Sequence, residues 1–174
     1  MRAIAVAATV CLTLAASAVA RADEPALRGV FVNPTQPEAP IDAAIDAAVS
    51  RFTFAARPMV RSRLKKVNVA LHRVEFVRNG AEITITLGTN TPSTTAPGRP
   101  PVKWTRNDGE IVDASIEWQG PVLVQTVTAG ESKRVNRFEL SPDGQVLTMK
   151  VTVTGPQLQT PVEYHLSFRA DGRR

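Results

Sequence analysis

The sequence predicts a mainly β domain: an antiparallel meander of about eight strands forming a curved sheet or barrel, preceded by one amphipathic α-helix. Three observations carry this. From Val67 onward apolar residues recur with a period of two, the spacing of a half-buried strand. Turn residues punctuate that stretch at short intervals, with Asn79-Gly80, Asp108-Gly109, Gly120-Pro121, Ala129-Gly130 and Ser141-Pro142-Asp143-Gly144 as the clearest cases. Ahead of it, between Ile41 and Arg57, the period is that of a helix.

The chain opens on a different kind of segment. Met1-Arg2 is short and positive, Ala3 to Ala16 is almost uncharged and apolar, and Ala18-Val19-Ala20 supplies small residues at a cleavage site. This is the order of a secretory signal peptide, so residues 1–20 are expected to direct export and to be removed. Cleavage after Ala20 is expected, with Ala22 as the alternative. The apolar run is shorter than the roughly 20 residues of a membrane-spanning helix, and no later stretch is long and apolar enough. The only cysteine, Cys11, lies in this segment, so the exported domain would have no thiol and no disulfide. Its expected location is periplasmic or extracellular.

Residues 21–40 read as a Pro-rich arm. Pro25, Pro34, Pro37 and Pro40 forbid regular helix over most of it, leaving room for a short edge strand at Gly29-Val30-Phe31-Val32. Residues 41–174 then form a single helix-plus-meander domain. In the helix, Ile41, Ile45, Ala48, Val49, Phe52 and Ala56 make one apolar stripe. Asp42 and Asp46 lie near its start and Arg51 and Arg57 near its end, as the helix dipole favours. Pro58 breaks it and opens a short second turn of helix to about Lys65.

The expected strands are Val67–Arg78, Ala81–Gly88, Val102–Arg106, Glu110–Trp118, Val122–Thr128, Ser132–Leu140, Gln145–Thr154 and Val162–Ala170. Between the second and third, Gly88 to Pro101 is rich in Thr, Pro and Ser and has no period, so it reads as a lid, a binding loop or disorder. Closing the meander into a barrel would remove its exposed edges.

Two hairpins give testable registers. If Asn79-Gly80 is a two-residue turn, Phe76 faces Ile83, Val74 faces Ile85 and His72 faces Leu87, which turns His72 toward the interior with a bulge nearby to restore Leu71 to the core. If Leu140 pairs with Gln145, Asn136 faces Met149 and Arg134 faces Val151, on the same side as Leu147 and Val153. A buried arginine requires a polar or anionic partner, so Arg134 either grips an anion inside the barrel or is carried to solvent by a bulge. In the last strand Val162, Tyr164, Leu166 and Phe168 face in, while Glu163 and His165 face out.

With net charge +5 and a pI near 10, the chain is modestly basic. That favours anionic surfaces without specifying one. The densest positive run is Arg57, Arg61, Arg63, Lys65 and Lys66, a candidate contact with an anionic envelope surface. Aromatic residues make up 5% of the chain and are not interleaved with the basic ones as base stacking requires, so nucleic acid is not an expected partner. There is no Gly-x-Ser-x-Gly, His-x-x-x-His or phosphate-binding loop. No catalytic residue, metal site or cofactor is expected.

From Val67 to Ala170 the chain resembles small exported bacterial lipocalin-like, calycin-type β proteins. The residues that carry the resemblance are Trp104, Asp108-Gly109, Trp118-Gln119-Gly120, Ser141-Pro142-Asp143-Gly144-Gln145-Val146-Leu147 and the closing Tyr164-His165-Leu166-Ser167-Phe168. The Gly-x-Trp of true lipocalins near the first strand is missing, and the leading helix departs from their pattern. The resemblance implies a barrel that carries an apolar molecule inside. The expected function is therefore non-enzymatic binding of a small apolar or amphipathic ligand. Its wall would be Phe76, Ile85, Ile116, Met149 and Tyr164, with His72 at its margin, Arg134 as the anion anchor and Asn136 on the same inward face. An envelope interaction protein using the basic outer surface and the Pro-rich arm is the alternative, and an enzyme without a recognisable motif is the third.

Overall fold

The computed structural model describes residues 27–33, 38–106 and 108–172. The expected signal peptide, both cleavage positions, Cys11 and most of the Pro-rich arm lie outside them. What is described is mainly β and antiparallel, as expected, with ten strands and two helices. In chain order these are β1 (Gly29–Val32), α1 (Glu38–Val49), α2 (Arg57–Val67), β2 (Arg73–Asn79), β3 (Glu82–Leu87), β4 (Ser93–Thr95), β5 (Val102–Thr105), β6 (Ile111–Gln119), β7 (Val122–Ala129), β8 (Ser132–Leu140), β9 (Val146–Thr154) and β10 (Val162–Ala170).

The ten strands form one sheet in the order β4-β3-β2-β1-β10-β9-β8-β7-β6-β5. The short segment at Gly29–Val32, expected at an edge, sits in the middle instead. It pairs with β2 on one side and β10 on the other, so the start of the domain joins its end. The sheet curls into a nearly closed barrel, and the remaining seam lies between β4 and β5. Single contacts cross it: the Trp104 indole N–H donates to Thr91 O at 2.9 Å, and Gly98 N–H donates to Ile116 O at 2.9 Å.

The segment 88–101 is thus neither lid nor disorder but contains β4. Its inward residues, Ser93 and Thr95, are buried although polar, which is why hydrophobic periodicity could not reveal it. The helical prediction is corrected at its end. α1 stops at Val49, because the Arg57 guanidinium donates to the carbonyls of Phe52 and Ser50 and satisfies them without a further helical turn. Pro58 then sits in the first turn of α2, where its missing N–H is harmless. The first long strand begins only at Arg73, since Val67 closes α2.

Both hairpin registers differ from expectation by two residues. Phe76 pairs with Ile85 and Asn79 with Glu82, so the turn is Gly80-Ala81 with Gly80 at φ 59°. Leu140 pairs with Leu147, Asn136 with Val151 and Arg134 with Val153, leaving a longer loop in which Ser141 N–H donates to Val146 O. A slip of two preserves which face each side chain takes, so Val74, Phe76, Ile83 and Ile85 are all buried. His72 is the exception. It lies at a bend before β2, and this bend, not a bulge within a strand, brings Leu71 into the core. His72 itself is exposed, with Nε2 3.7 Å from Glu38.

The apolar core fills the lower barrel. Phe138 meets Phe76 edge-on with ring centroids 5.1 Å apart, and Phe76 meets Phe31 at 6.2 Å. Leu147, Met149 and Phe168 are fully buried beside them. Ile41, Ile45, Ala48 and Val49 of α1 join the same cluster, with α1 against β10.

Candidate ligand cavity

A cavity of about 940 Å³ lies at one end of the barrel, under α2. Its walls come from α2 and the segment after it (Leu64, Val67, Leu71), from the end of β3 and the connection after it (Leu87, Asn90), from β5 and β7 (Trp104, Val127) and from the end of β9 and the loop beyond (Val153, Leu158). These side chains converge because each strand presents alternate residues inward, and the antiparallel strands reach this rim alternately, β3, β5, β7 and β9 with their last residues and β2 and β8 with their first. On α2, positions 60, 63, 64 and 67 share one helical face and all line the cavity. The opposite face of α2 is tied to α1, where Arg61 pairs with Asp46 and Lys65 with Asp42.

The floor is polar. Arg134, part-buried on β8, donates through Nε to Asn136 Oδ1 (2.9 Å), through Nη1 to Val67 O (3.0 Å) and Asn68 Oδ1 (3.3 Å), and through Nη2 to Tyr164 Oη (3.1 Å). Tyr164 in turn donates to Asn68 Oδ1 at 3.1 Å. Asn136 Nδ2 donates to Gln125 Oε1 at 2.8 Å, and Gln125 Nε2 donates to Ser93 Oγ at 3.1 Å. The chain of bonds crosses the barrel from the edge strand β4 to the end of α2. Every partner of Arg134 is neutral, so its charge has no carboxylate against it among the described residues. Burial pushes the Tyr164 phenol up from its ordinary value, and the charge and hydrogen bond of Arg134 pull against that rise.

The inward option for Arg134 is the one the structure shows, and Asn136 lies beside it. Both line the cavity, as does His72 from its exposed position at the rim. Phe76, Ile85, Ile116, Met149 and Tyr164 do not line it. They belong to the packed core beneath, and only the Tyr164 hydroxyl reaches the floor network. Sequence reasoning missed the apolar wall from Leu64, Leu71, Leu87, Trp104 and Leu158. It also missed Gln125 and Ser93, polar residues at inward positions whose parity alone could have marked them.

Of the basic run, Arg57 serves the carbonyls after α1, Arg61 and Lys65 hold α1, and Arg63 and Lys66 stand at the cavity mouth. Across the mouth, Arg106 pairs with Asp108 and Glu110. The hydrogen bond from Arg106 lowers the Asp108 carboxyl below its ordinary value. No group of three or more potential metal ligands occurs among the described residues.

No protein-family model and no curated protein matches the chain. Solved structures do. A fatty acid binding protein of Schistosoma mansoni, in complex with arachidonic acid, is 20% identical with a TM-score of 0.52, over 84% of this chain and 97% of that one. The zebrafish ileal bile acid binding protein complexed with cholic acid is 16% identical with a TM-score of 0.51, over 82% and 97%. The fold is calycin-type. A secretary abundant heat soluble protein of Ramazzottius varieornatus shares this calycin-type fold at 9% identity and a TM-score of 0.56, over 83% and 94%.

Proposed function

We propose that this protein is an exported, non-enzymatic carrier that holds a small amphipathic anion in the mouth of its barrel. The observation that carries this is the pairing of a large, mostly apolar cavity with a fixed, part-buried guanidinium that has no carboxylate partner among the described residues. A preformed apolar site with a few convergent polar groups is the usual form of a small-molecule site. Arg134 is preorganised for a carboxylate or sulfonate because four neutral acceptors already hold its plane. The fold supports the same reading, since two of the solved neighbours above are binding proteins by name. Native mass spectrometry of the purified protein tests it. A retained amphiphile, lost in Arg134→Met, is expected; a protein that neither retains an amphiphile nor takes up added anionic ones would end this reading.

A second reading concerns the outer surface. From Ala47 to Val74 the chain has seven Lys or Arg and no acidic residue. Within it Phe54 is 86% and Met59 56% exposed. Apolar side chains set among cations suit the interface of an anionic membrane, and Arg63 and Lys66 carry that positive charge to the cavity mouth. Cosedimentation with anionic vesicles, lost on Arg63→Glu/Lys66→Glu, tests it.

A further inference from the structure

The cavity is short and wide. Along β8 its wall runs from Ser132 to Asn136, four residue steps, or about 13 Å at the rise of a strand. Below Asn136 the barrel is solid: Phe138, Phe76, Met149 and Leu147 are at most 1% exposed. A volume of about 940 Å³ over that depth gives a mean cross-section of about 70 Å². A single strand with its side chains takes up roughly 50 Å² in packed sheets, so the opening is wider than a strand. An unbranched alkyl chain is thinner still. Standing on the floor, it would touch one wall and leave the other bare, and bare wall forfeits dispersion contact. Folded back on itself, it would lose rotamer freedom on binding. Moreover, the filled lower barrel gives a long chain nowhere to descend.

We infer that the ligand is a rigid, multi-ring amphiphile carrying one anionic group, and not a long-chain acyl anion. This rests on the carrier reading above and adds the ligand class. The anionic group meets Arg134 and Asn136 at the floor. The ring body fills the width bounded by Trp104, Val127, Leu71 and Leu87, all of which line the cavity. Trp104 is a suitable wall because its indole N–H is already satisfied by Thr91, so the ring is held without demanding a polar partner from the ligand.

Calorimetric titration of the purified protein with deoxycholate and with palmitate, each below its aggregation threshold, tests the inference. Deoxycholate is expected to bind at least tenfold more tightly, and to change tryptophan emission in a Trp118→Phe background where Trp104 is the remaining reporter. Palmitate binding equally or better would overturn the ligand class while leaving the carrier reading intact. No binding of either, with no other anionic amphiphile taken up, would overturn both. Shortening a core residue beneath the floor supplies an independent arm. Phe138→Ala, or the milder Phe138→Leu if the first does not fold by circular dichroism, is expected to raise palmitate affinity several-fold relative to deoxycholate. An unchanged ratio in the folded variant would show that depth does not limit the ligand.

Discussion

Arg134 Nη2 and Tyr164 Oη meet at 3.1 Å inside the barrel, and both residues bond to the Asn68 side chain, which follows α2. Asn68 closes that helix twice, its backbone and side-chain N–H groups both donating to Leu64 O. The floor of the cavity and the last turn of its helical roof are therefore one hydrogen-bonded unit. Arg134 also places a positive charge at the C-terminal end of α2, where the helix dipole favours it.

Removing that charge should therefore act in two places. Arg134→Met is expected to abolish anion binding, with affinity for a neutral apolar probe largely kept. It should also destabilise the fold by about 1–3 kcal/mol, because Val67 O, Asn68 and Tyr164 lose a part-buried partner. Hydrogen exchange should show faster amide exchange at the end of α2. Arg134→Lys keeps the charge but loses the planar fork, so partial recovery of anion binding with continued loosening of α2 is expected. Urea denaturation and exchange mass spectrometry check both variants. Unchanged exchange in α2 would show that Arg134 does not tie the roof.

Tyr164 offers a direct optical readout, since it is the only tyrosine in the chain. Burial raises its phenol above the ordinary value near 10, against the opposing charge of Arg134. A group with a raised folded value holds its proton more firmly when folded. Its contribution is fully present below about pH 10 and is lost as the pH rises past the folded value. Phenolate absorbance should thus titrate above about pH 10 in the native protein and near 10 in urea. The Tm of the wild type should fall faster than that of Tyr164→Phe over that alkaline range. Equal titration in the native and unfolded states would contradict the buried placement.

Much of this was legible in the sequence. Strict alternation from Val162 to Phe168 assigned both faces of β10 correctly, and the parity of Arg134 with Leu147 and Val153 offered its inward position as one of two options. Parity survives a two-residue slip, so the wrong turns at Gly80 and Ser141 did not disturb the faces. What pattern could not supply was depth. Whether Phe76 and Met149 line a void or fill it depends on how many bulky residues meet across the barrel, a sum over β2, β8, β9 and β10 that no single strand reveals. β4 was hidden for a related reason: its inward residues are polar because Ser93 meets Gln125 from across the seam. The helix end at Val49 was hidden because Phe52 and Ala56 continue the apolar spacing, while the competing group, the Arg57 side chain, acts backwards along the chain.

Export, proposed from residues 1–20, predicts a definite product. When the full chain is produced in a bacterium with an intact secretion pathway, intact-mass measurement of the envelope fraction should show a species beginning at Arg21, or at Asp23 for the alternative site. A protein recovered only from the cytoplasm with Met1 to Ala20 attached would defeat the proposal.

Gln125 and Asn136 carry the last prediction. They sit opposite one another on β7 and β8, at 1% and 0% exposure, and bond side chain to side chain at 2.8 Å. Gln125 then reaches Ser93 on β4, a strand at the other edge of the sheet. This chain of bonds crosses the seam that backbone ladders leave open. Asn136→Leu should therefore cost about 1–3 kcal/mol, since it strands Gln125 Oε1 and removes the acceptor of Arg134 Nε. Gln125→Leu should cost a similar amount, since Asn136 Nδ2 loses its acceptor and Ser93 Oγ loses its donor. The double variant replaces the central pair by apolar groups of similar size, so its loss should fall short of the sum by about 0.5–3 kcal/mol, the coupling typical of residues that share a network. Urea denaturation of the four proteins of the cycle measures it. Simple additivity would mean that the two amides are satisfied independently and that the seam is held by Trp104 and Gly98 alone.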